Sequence, residues 1–571
     1  MTAVTLSAAD ADAAAPDQPR ISTRLAALPA IDRRLMLGFV TASLVPLVLG
    51  LGFGLVVALA RGGFLGPAPE AAYRLLTLHG TSAFFWWLYL AQAALMTGLA
   101  AGERRDGLAA RPLVVAGLLV LLLGLVVSEG TALTRTPLLY DANPDLGRED
   151  PAAVAGMAAG YLLLAFGLVL ASLAAIVTVL RARNPQTGEM TAMGFGVLAW
   201  AGFLIVSGIA AVNAFLPNLL WALGRGAFPV HAATDWHILF HNMHYLPLMA
   251  AVLTWYALTQ ETTGTSSAFG AGFSKLVFAA YLVFVPPTSL YHMFLEPDLA
   301  ESVRVVGTLL SLFVSVPTLV AFLVIVSSLE LATRAQGARA GLFGWIGRLP
   351  WRDPAFAAMG VAIVCTLLGL VFAFVLIQEK LAPLISDTVF VPGYFHFFAV
   401  GAVTQTFLAG FLVMIPALTG RRVWQPLLLA RMPWLVLAGL LVFGACGILA
   451  GFAGVPRRTF DVAYDGAAPA GWHVLMQGLA LGAVLFAAAL AIQVFGVLCT
   501  LIGPVNARSG VAVAAPRAAR PVGARGSTAA WTGPIAIVVL VLAMTGATIG
   551  AFELMHSLPV VVAGGAAGHA H

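Results

Sequence analysis

The residues best suited to chemistry are histidines set in apolar surroundings. Four of the eleven, His79, His241, His292 and His396, stand at the ends of long apolar runs. Neutral imidazole is a common axial ligand of haem iron and also suits copper. Ionisable rings inside a bilayer are costly and mark function. A haem b held between His79 and His396 is the simplest account of two of them. In "FVPGYFHFF", residues 390–398, Tyr394 precedes His396 by two positions, so at about 100° per residue the two rings face opposite sides of one helix. "DWHILFHNMHYLPL" places His237, His241 and His244 at i, i+4 and i+7, one helical stripe, with Tyr245 four residues after His241. "SLYHMFLEP" adds Tyr291 and His292 from the next segment. Such a stripe could bind copper or another transition metal. The plain alternative is an aromatic, partly wet interfacial helix. Arg457 and Arg458 in "GVPRRTF" form an adjacent guanidinium pair. It suits the carboxylates of an outward-facing haem through bidentate pairing, or else lipid headgroups.

The elements that must position these residues are membrane helices. The chain has 571 residues, 60% of them hydrophobic and only 10% charged, and its mean hydropathy is +0.94. That balance excludes a soluble domain and fits an all-α integral membrane protein embedded in a lipid bilayer. Nothing in it points to nucleic acid. Cys365, Cys446 and Cys499 are far apart in apolar runs and read as small core residues, with no CxxC pair.

About thirteen apolar segments reach spanning length, approximately 35–60, 76–101, 112–128, 153–180, 192–215, 236–259, 271–290, 302–329, 355–378, 393–418, 434–453, 473–500 and 531–555. With the N-terminus inside, most of the 30 Lys and Arg residues fall in cytoplasmic segments, which sets the expected orientation. His79, His241, His292 and His396 then all lie in the outer third of the membrane. The expected organisation is a disordered cytoplasmic tail over 1–34 and a transmembrane domain over 35–555. A flexible loop at 506–527 and an outer tail over 556–571 complete it. The C-terminal "HAH" reads as part of that tail rather than as a metal site. The expected location is a bacterial-type cytoplasmic membrane.

The order of several motifs resembles subunit I of the haem-copper oxidase superfamily, most closely the B-type cytochrome c oxidases. The resemblance spans roughly residues 70 to 500. It is carried by "LTLHG" at 76–80, His241 with a tyrosine four residues on, and "VPTLVAFL" at 316–323. "GLFGWIGRLPWRDPAF" at 341–356, "VPGYFHF" at 391–397, "PALTGR" at 416–421 and "VPRR" at 455–458 follow in order. The resemblance implies that His79 and His396 ligate a low-spin haem and that Arg457 and Arg458 bind its propionates. It also implies that His241 is a copper ligand and that Tyr245 is the tyrosine cross-linked to it.

Two positions depart from the family pattern. Tyr291–His292 stands where the family has two adjacent histidines that bind copper. "YFH" stands where the family has "HFH", so Tyr394 occupies the position of the second, high-spin haem ligand. His244, one turn from His241, is a candidate replacement for the missing copper ligand. Of the family's proton path, Tyr245, Tyr256 and Thr318 are present, whereas Val252, Ala321 and Val324 replace hydroxyls. Three functions remain open. One is an electron-transfer protein in respiration with one haem b and an altered oxygen-reducing site. Another is a working terminal oxidase or nitric oxide reductase, with Tyr394 on a second haem and copper on His241, His292 and His244. The last is a non-redox haem sensor or an assembly or transport protein. The resemblance further implies an electron donor on the outer face, a subunit II-like protein or a cytochrome c. The chain has no CxxCH for an attached haem c.

Overall fold

The computed structural model describes residues 19–144, 149–184, 188–286, 313–338, 341–378, 381–459 and 468–504, with short stretches between 305 and 310 and between 538 and 553. The long helices, in chain order, are α1 (Ile21–Ala26), α2 (Ala30–Arg61), α3 (Pro69–Gly102), α4 (Arg111–Thr134), α5 (Pro151–Arg181), α6 (Ala192–Ala222) and α7 (Ala232–Thr263). They continue as α8 (Gly270–Phe284), α9 (Val316–Ala335), α10 (Pro354–Leu376), α11 (Phe390–Thr419), α12 (Pro426–Phe452) and α13 (Ala470–Ile502). Ten of these are long and apolar enough to cross a membrane. α7 has 32 residues but carries the polar histidine stripe, and α8 is shorter at 15 residues. The thirteenth expected span, 531–555, lies largely outside the described residues.

Local sequence explains the helix ends. Asp150, Thr191 and Asp353 each accept a backbone N–H at the start of α5, α6 and α10, at 3.0, 2.9 and 2.8 Å. Pro151 and Pro354 occupy the first helical position, where a missing N–H costs nothing. α11 ends where Gly420 takes φ +71°, a conformation other residues resist.

Burial sorts the helices. In their most apolar stretch 89% of α3 and 78% of α6 and α11 are buried, against 33% of α4. So α3, α6 and α11 form the centre of the bundle, and α4 faces lipid. Lipid removes most of the hydrophobic drive for helix association, and small residues allow close backbone contact instead. Gly117 and Gly124 of α4 lie against the carbonyls of Gly167 and Gly160 of α5, and a Cβ at either would come within 2.9 Å of them. Gly393 of α11 meets the backbone of Gly447 of α12 in the same way.

The expected tail over 1–34 ends sooner than its composition suggests. Ile21–Ala26 is helical, and Ser22 Oγ donates to Glu261 Oε1 at 2.6 Å. Asp32 is fully buried and accepts from Arg111 Nε at 2.6 Å and from the Leu108 amide at 3.0 Å. Polar residues that look solvated in sequence are here tied to partners far along the chain. The loop 506–527 and the tail 556–571 lie outside the described residues.

Candidate haem site

His79 ends the first part of α3, and His396 ends the first turns of α11. A π-helical turn follows each, Thr81–Trp87 after His79 and Phe397–Thr404 directly after His396. Such turns widen a helix locally and recur at functional sites. The two imidazoles lie parallel, with ring centres 6.4 Å apart and planes 10° from each other. A metal bonded to one nitrogen of each ring at about 2 Å would set the centres roughly 6 Å apart. His79 Nδ1 lies 2.8 Å from the Gly50 carbonyl, and His396 Nδ1 lies 2.7 Å from the Pro392 carbonyl. A carbonyl only accepts, so both Nδ1 atoms carry the proton and each Nε2 keeps its lone pair for a metal.

The walls fit a large apolar group. Phe443 and Phe486 stand 4.6 and 6.1 Å from the His396 ring, centre to centre. On the other side, α2 approaches His79 through glycine. A Cβ on Gly54 would lie 2.5 Å from His79 Nδ1 and 2.6 Å from Cε1. The sequence signal for this contact is the "GLGFG" run at 50–54, which pattern reading passed over.

The arginine pair sits in the loop after α12. Residues 387–389 pair with 455–457: the Val389 amide donates to the Val455 carbonyl at 2.8 Å and the Arg457 amide to the Asp387 carbonyl at 3.0 Å. Arg61 donates to the carbonyls of Pro456, at 2.5 Å, and of Arg457, and Tyr73 Oη donates to the Arg458 carbonyl at 2.9 Å. Arg457 Nη2 binds Asp387 Oδ1 at 2.9 Å, and Arg458 Nη2 lies 3.9 Å from Asp141 Oδ2. Burial works against the Arg458 charge, but Tyr140 and Asp141 outweigh it, and the net effect raises its affinity for its proton. The Nε atoms of both arginines are buried with no hydrogen-bond partner among the described residues. Unused donors of this kind fit carboxylates such as haem propionates.

Tyr394 and His396 have separate neighbours. Tyr394 packs against Phe390 and Phe398, 5.7 and 6.4 Å away, beside Leu376, Ile385 and Ile448. His241 is buried and stacks on Tyr245 at 5.8 Å. His244 bonds the Phe240 carbonyl through Nδ1 at 2.7 Å, and its ring lies among Phe84, Phe240 and Phe395 at 5.2, 4.0 and 4.7 Å. His237 interacts electrostatically with Arg457, Arg458 and Asp387. Tyr291 and His292 lie outside the described residues. Among the described residues no group of three or more His, Cys, Asp or Glu side chains could hold a metal ion.

The proton-path positions show hydroxyls that sequence reading missed. Val252, Ala321 and Val324 are fully buried. Tyr281 Oη lies 2.9 Å from Thr318 Oγ1. Ser274 Oγ donates to Ser267 Oγ at 2.9 Å, and Tyr256 Oη is buried with no hydrogen-bond partner among the described residues. Tyr281 and Ser274 sit in α8, where an apolar run hid them.

The fold is that of an all-helical, multi-pass membrane protein. The chain belongs to the family described as cytochrome c and quinol oxidase polypeptide I, whose model matches residues 34–485. It is similar to cytochrome c oxidase subunit 1 of Thermus thermophilus, 28% identical over 499 residues that make up 82% of this chain and 85% of that protein. It also shares the fold of a heme-copper terminal oxidase solved as a dimer by cryo-electron microscopy. There the TM-score is 0.81 at 21% identity, over 93% of this chain and 92% of the other. Haems and copper are the cofactors of this family.

Proposed function

We propose that the chain is a membrane electron-transfer subunit that binds one low-spin haem b between His79 and His396, with an altered oxygen-reducing side. The observation that carries this reading is the parallel imidazole pair 6.4 Å apart, each ring oriented by a backbone carbonyl. Bound there, the porphyrin iron supplies reversible one-electron transfer. The chain's own residues do the remaining work. The Gly50 and Pro392 carbonyls hold the tautomers, Phe443 and Phe486 exclude water around His396, and Arg457 and Arg458 offer donors to carboxylates at the rim. Tyr394 supports the altered side, because a phenol in an apolar cluster stands at a position where the family has an imidazole. Tyrosinate is a hard anionic donor and favours ferric iron, which makes an oxygen-binding ferrous centre harder to reach.

The charge bias supports a cytoplasmic N-terminus in a bacterial-type inner membrane, with the C-terminus outside. The arginine loop then lies on the outer face. A subunit II-like protein or a cytochrome c would deliver electrons there, as partners do in the family.

One observation favours a second reading. His241 stacks on Tyr245, and the buried Tyr281 hydroxyl pairs with Thr318 Oγ1 at 2.9 Å, so phenols and hydroxyls remain on this side. A working terminal oxidase or nitric oxide reductase would use them, with Tyr394 on a second haem and His241, His292 and His244 on copper. Pyridine haemochrome quantification on purified protein separates the readings. One haem per chain without carbon monoxide binding supports the first. Two haems with carbon monoxide binding support the second and refute the first.

A further inference from the structure

Glu129 is the one carboxylate on α2 to α5 apart from Asp32 and Glu70, which sit in the first turns of α2 and α3. It lies five residues from the outer end of α4, about 8 Å along the axis. Val126 and Leu133, on the lipid side of α4, are 69% and 58% exposed, but the Glu129 carboxyl turns toward Ser82 of α3. Oε1 accepts from Ser82 Oγ at 2.8 Å. Oε2 is buried and has no hydrogen-bond partner among the described residues. Its neighbour Ser128 accepts from Trp86 Nε1 at 2.8 Å. Two consecutive residues of α4 are therefore bonded to one π-helical turn, Thr81–Trp87, which begins two residues after His79.

An ionisable group inside a membrane is expensive and is a functional site by default. The charge environment here is sparse. α2 carries no titratable side chain between Arg34 and Arg61. α3 offers His79, Tyr73, Tyr89 and Arg74; Tyr73 donates to the Arg458 carbonyl at 2.9 Å, and Arg74 binds the Leu133 and Arg135 carbonyls at 2.8 and 2.6 Å, at the C-terminal end of α4. α5 offers Tyr161, which donates to the Tyr140 carbonyl at 2.6 Å, and Tyr140 and Asp141 lie in the loop between α4 and α5. None of these cations or phenols bonds the Glu129 carboxylate, whose one donor among the described residues is the neutral Ser82. With few compensating charges in an apolar helix packing, a change of charge at a neighbouring centre acts strongly on it.

We propose that Glu129 is a redox-linked proton site. When an external one-electron donor converts ferric to ferrous iron between His79 and His396, Glu129 takes one proton from the outer aqueous phase, and it releases that proton on reoxidation. The electron adds one negative charge at the His79 site, whose following turn holds the carboxylate through Ser82, and the proton cancels it, so the step balances. The inference rests on the bis-histidine haem reading.

The test is a spectroelectrochemical titration of the haem in the purified full chain over a series of pH values. In the wild type the midpoint potential falls as pH rises, with a slope that approaches one proton per electron in part of the range. In Glu129→Gln that segment is lost and the potential is flat there, with the low-spin spectrum intact. In Ser82→Ala the segment remains but its inflection moves. An infrared redox difference spectrum shows a carboxylic C=O band in the wild type that is missing in Glu129→Gln. A wild type without the sloping segment, or a Glu129→Gln slope equal to the wild type, overturns the proposal while leaving the haem reading in place. If Glu129→Gln does not assemble, an unmoved inflection in Ser82→Ala or no carboxylic band in the wild type overturns it. Protein with no Soret band refutes the haem reading, and this inference with it.

Discussion

Gly54→Ala tests whether α2 backs the His79 ligand. A methyl there would sit 2.5 Å from His79 Nδ1 and 2.6 Å from Cε1, whereas a Cβ tolerates no contact under 3.0 Å. The ring, or α2 itself, must therefore retreat by at least about half an ångström. The Nδ1 bond to the Gly50 carbonyl is 2.8 Å, so a shift of that size takes it beyond the usual range for a nitrogen donor. Losing the bond costs about 0.5–1.5 kcal/mol, and forcing an extra methyl into a packed site costs about 1–3 kcal/mol. Disturbing the group that orients a metal-bound histidine typically lowers affinity by about 10–100-fold. Gly52→Ala is the internal control, because nothing lies within 4 Å of the Cβ it would add. The assay is titration of haem-depleted protein in detergent, followed at the low-spin visible bands. Gly54→Ala is expected to bind haem about 10–100-fold more weakly while Gly52→Ala binds as the wild type does. Equal binding by all three, or equal loss in both variants, would refute the reasoning.

Other expectations follow from the same geometry. Asp32→Asn weakens the buried contact to Arg111 and the Leu108 amide, and should lower stability by about 1–3 kcal/mol, read as a fall in Tm in detergent. Arg61→Gln removes charge-assisted bonds to the Pro456 and Arg457 carbonyls, so the loop bearing the arginine pair should loosen. A cost of about 1.5–3 kcal/mol per bond is expected, seen as faster hydrogen exchange over residues 455–458. Tyr394→His restores an imidazole to the second-haem position and should raise bound haem above one per chain, measured by pyridine haemochrome. A ratio unchanged from wild type would show that the apolar cluster around residue 394 rejects a porphyrin.

Much of the architecture is legible in one dimension because spanning helices announce themselves by length and apolar composition. Counting spans sets an expected common depth for His79, His396 and the arginine pair, and the structure sets the two imidazoles ring to ring. What stayed hidden depends on contacts between distant segments. The glycine run at 50–54 allows a close approach, but nothing local says that its partner is His79, since the contact joins two helices. Asp32 and Ser22 look like residues of a solvated tail, but Glu261 is 239 positions from Ser22. Tyr281 and Ser274 are single hydroxyls in an apolar run, and only packing shows that they neighbour Thr318 and Tyr256. The π-helical turns after both histidines arise from backbone hydrogen bonding that no residue pattern specifies.

The account depends most on one iron atom shared by two imidazoles, and low-temperature electron paramagnetic resonance of the oxidised, purified chain addresses it directly. The account predicts a low-spin ferric signal of bis-imidazole type at one spin per chain, abolished in His79→Ala and in His396→Ala. The absence of that signal in wild-type protein, or its survival in either alanine variant, would contradict it.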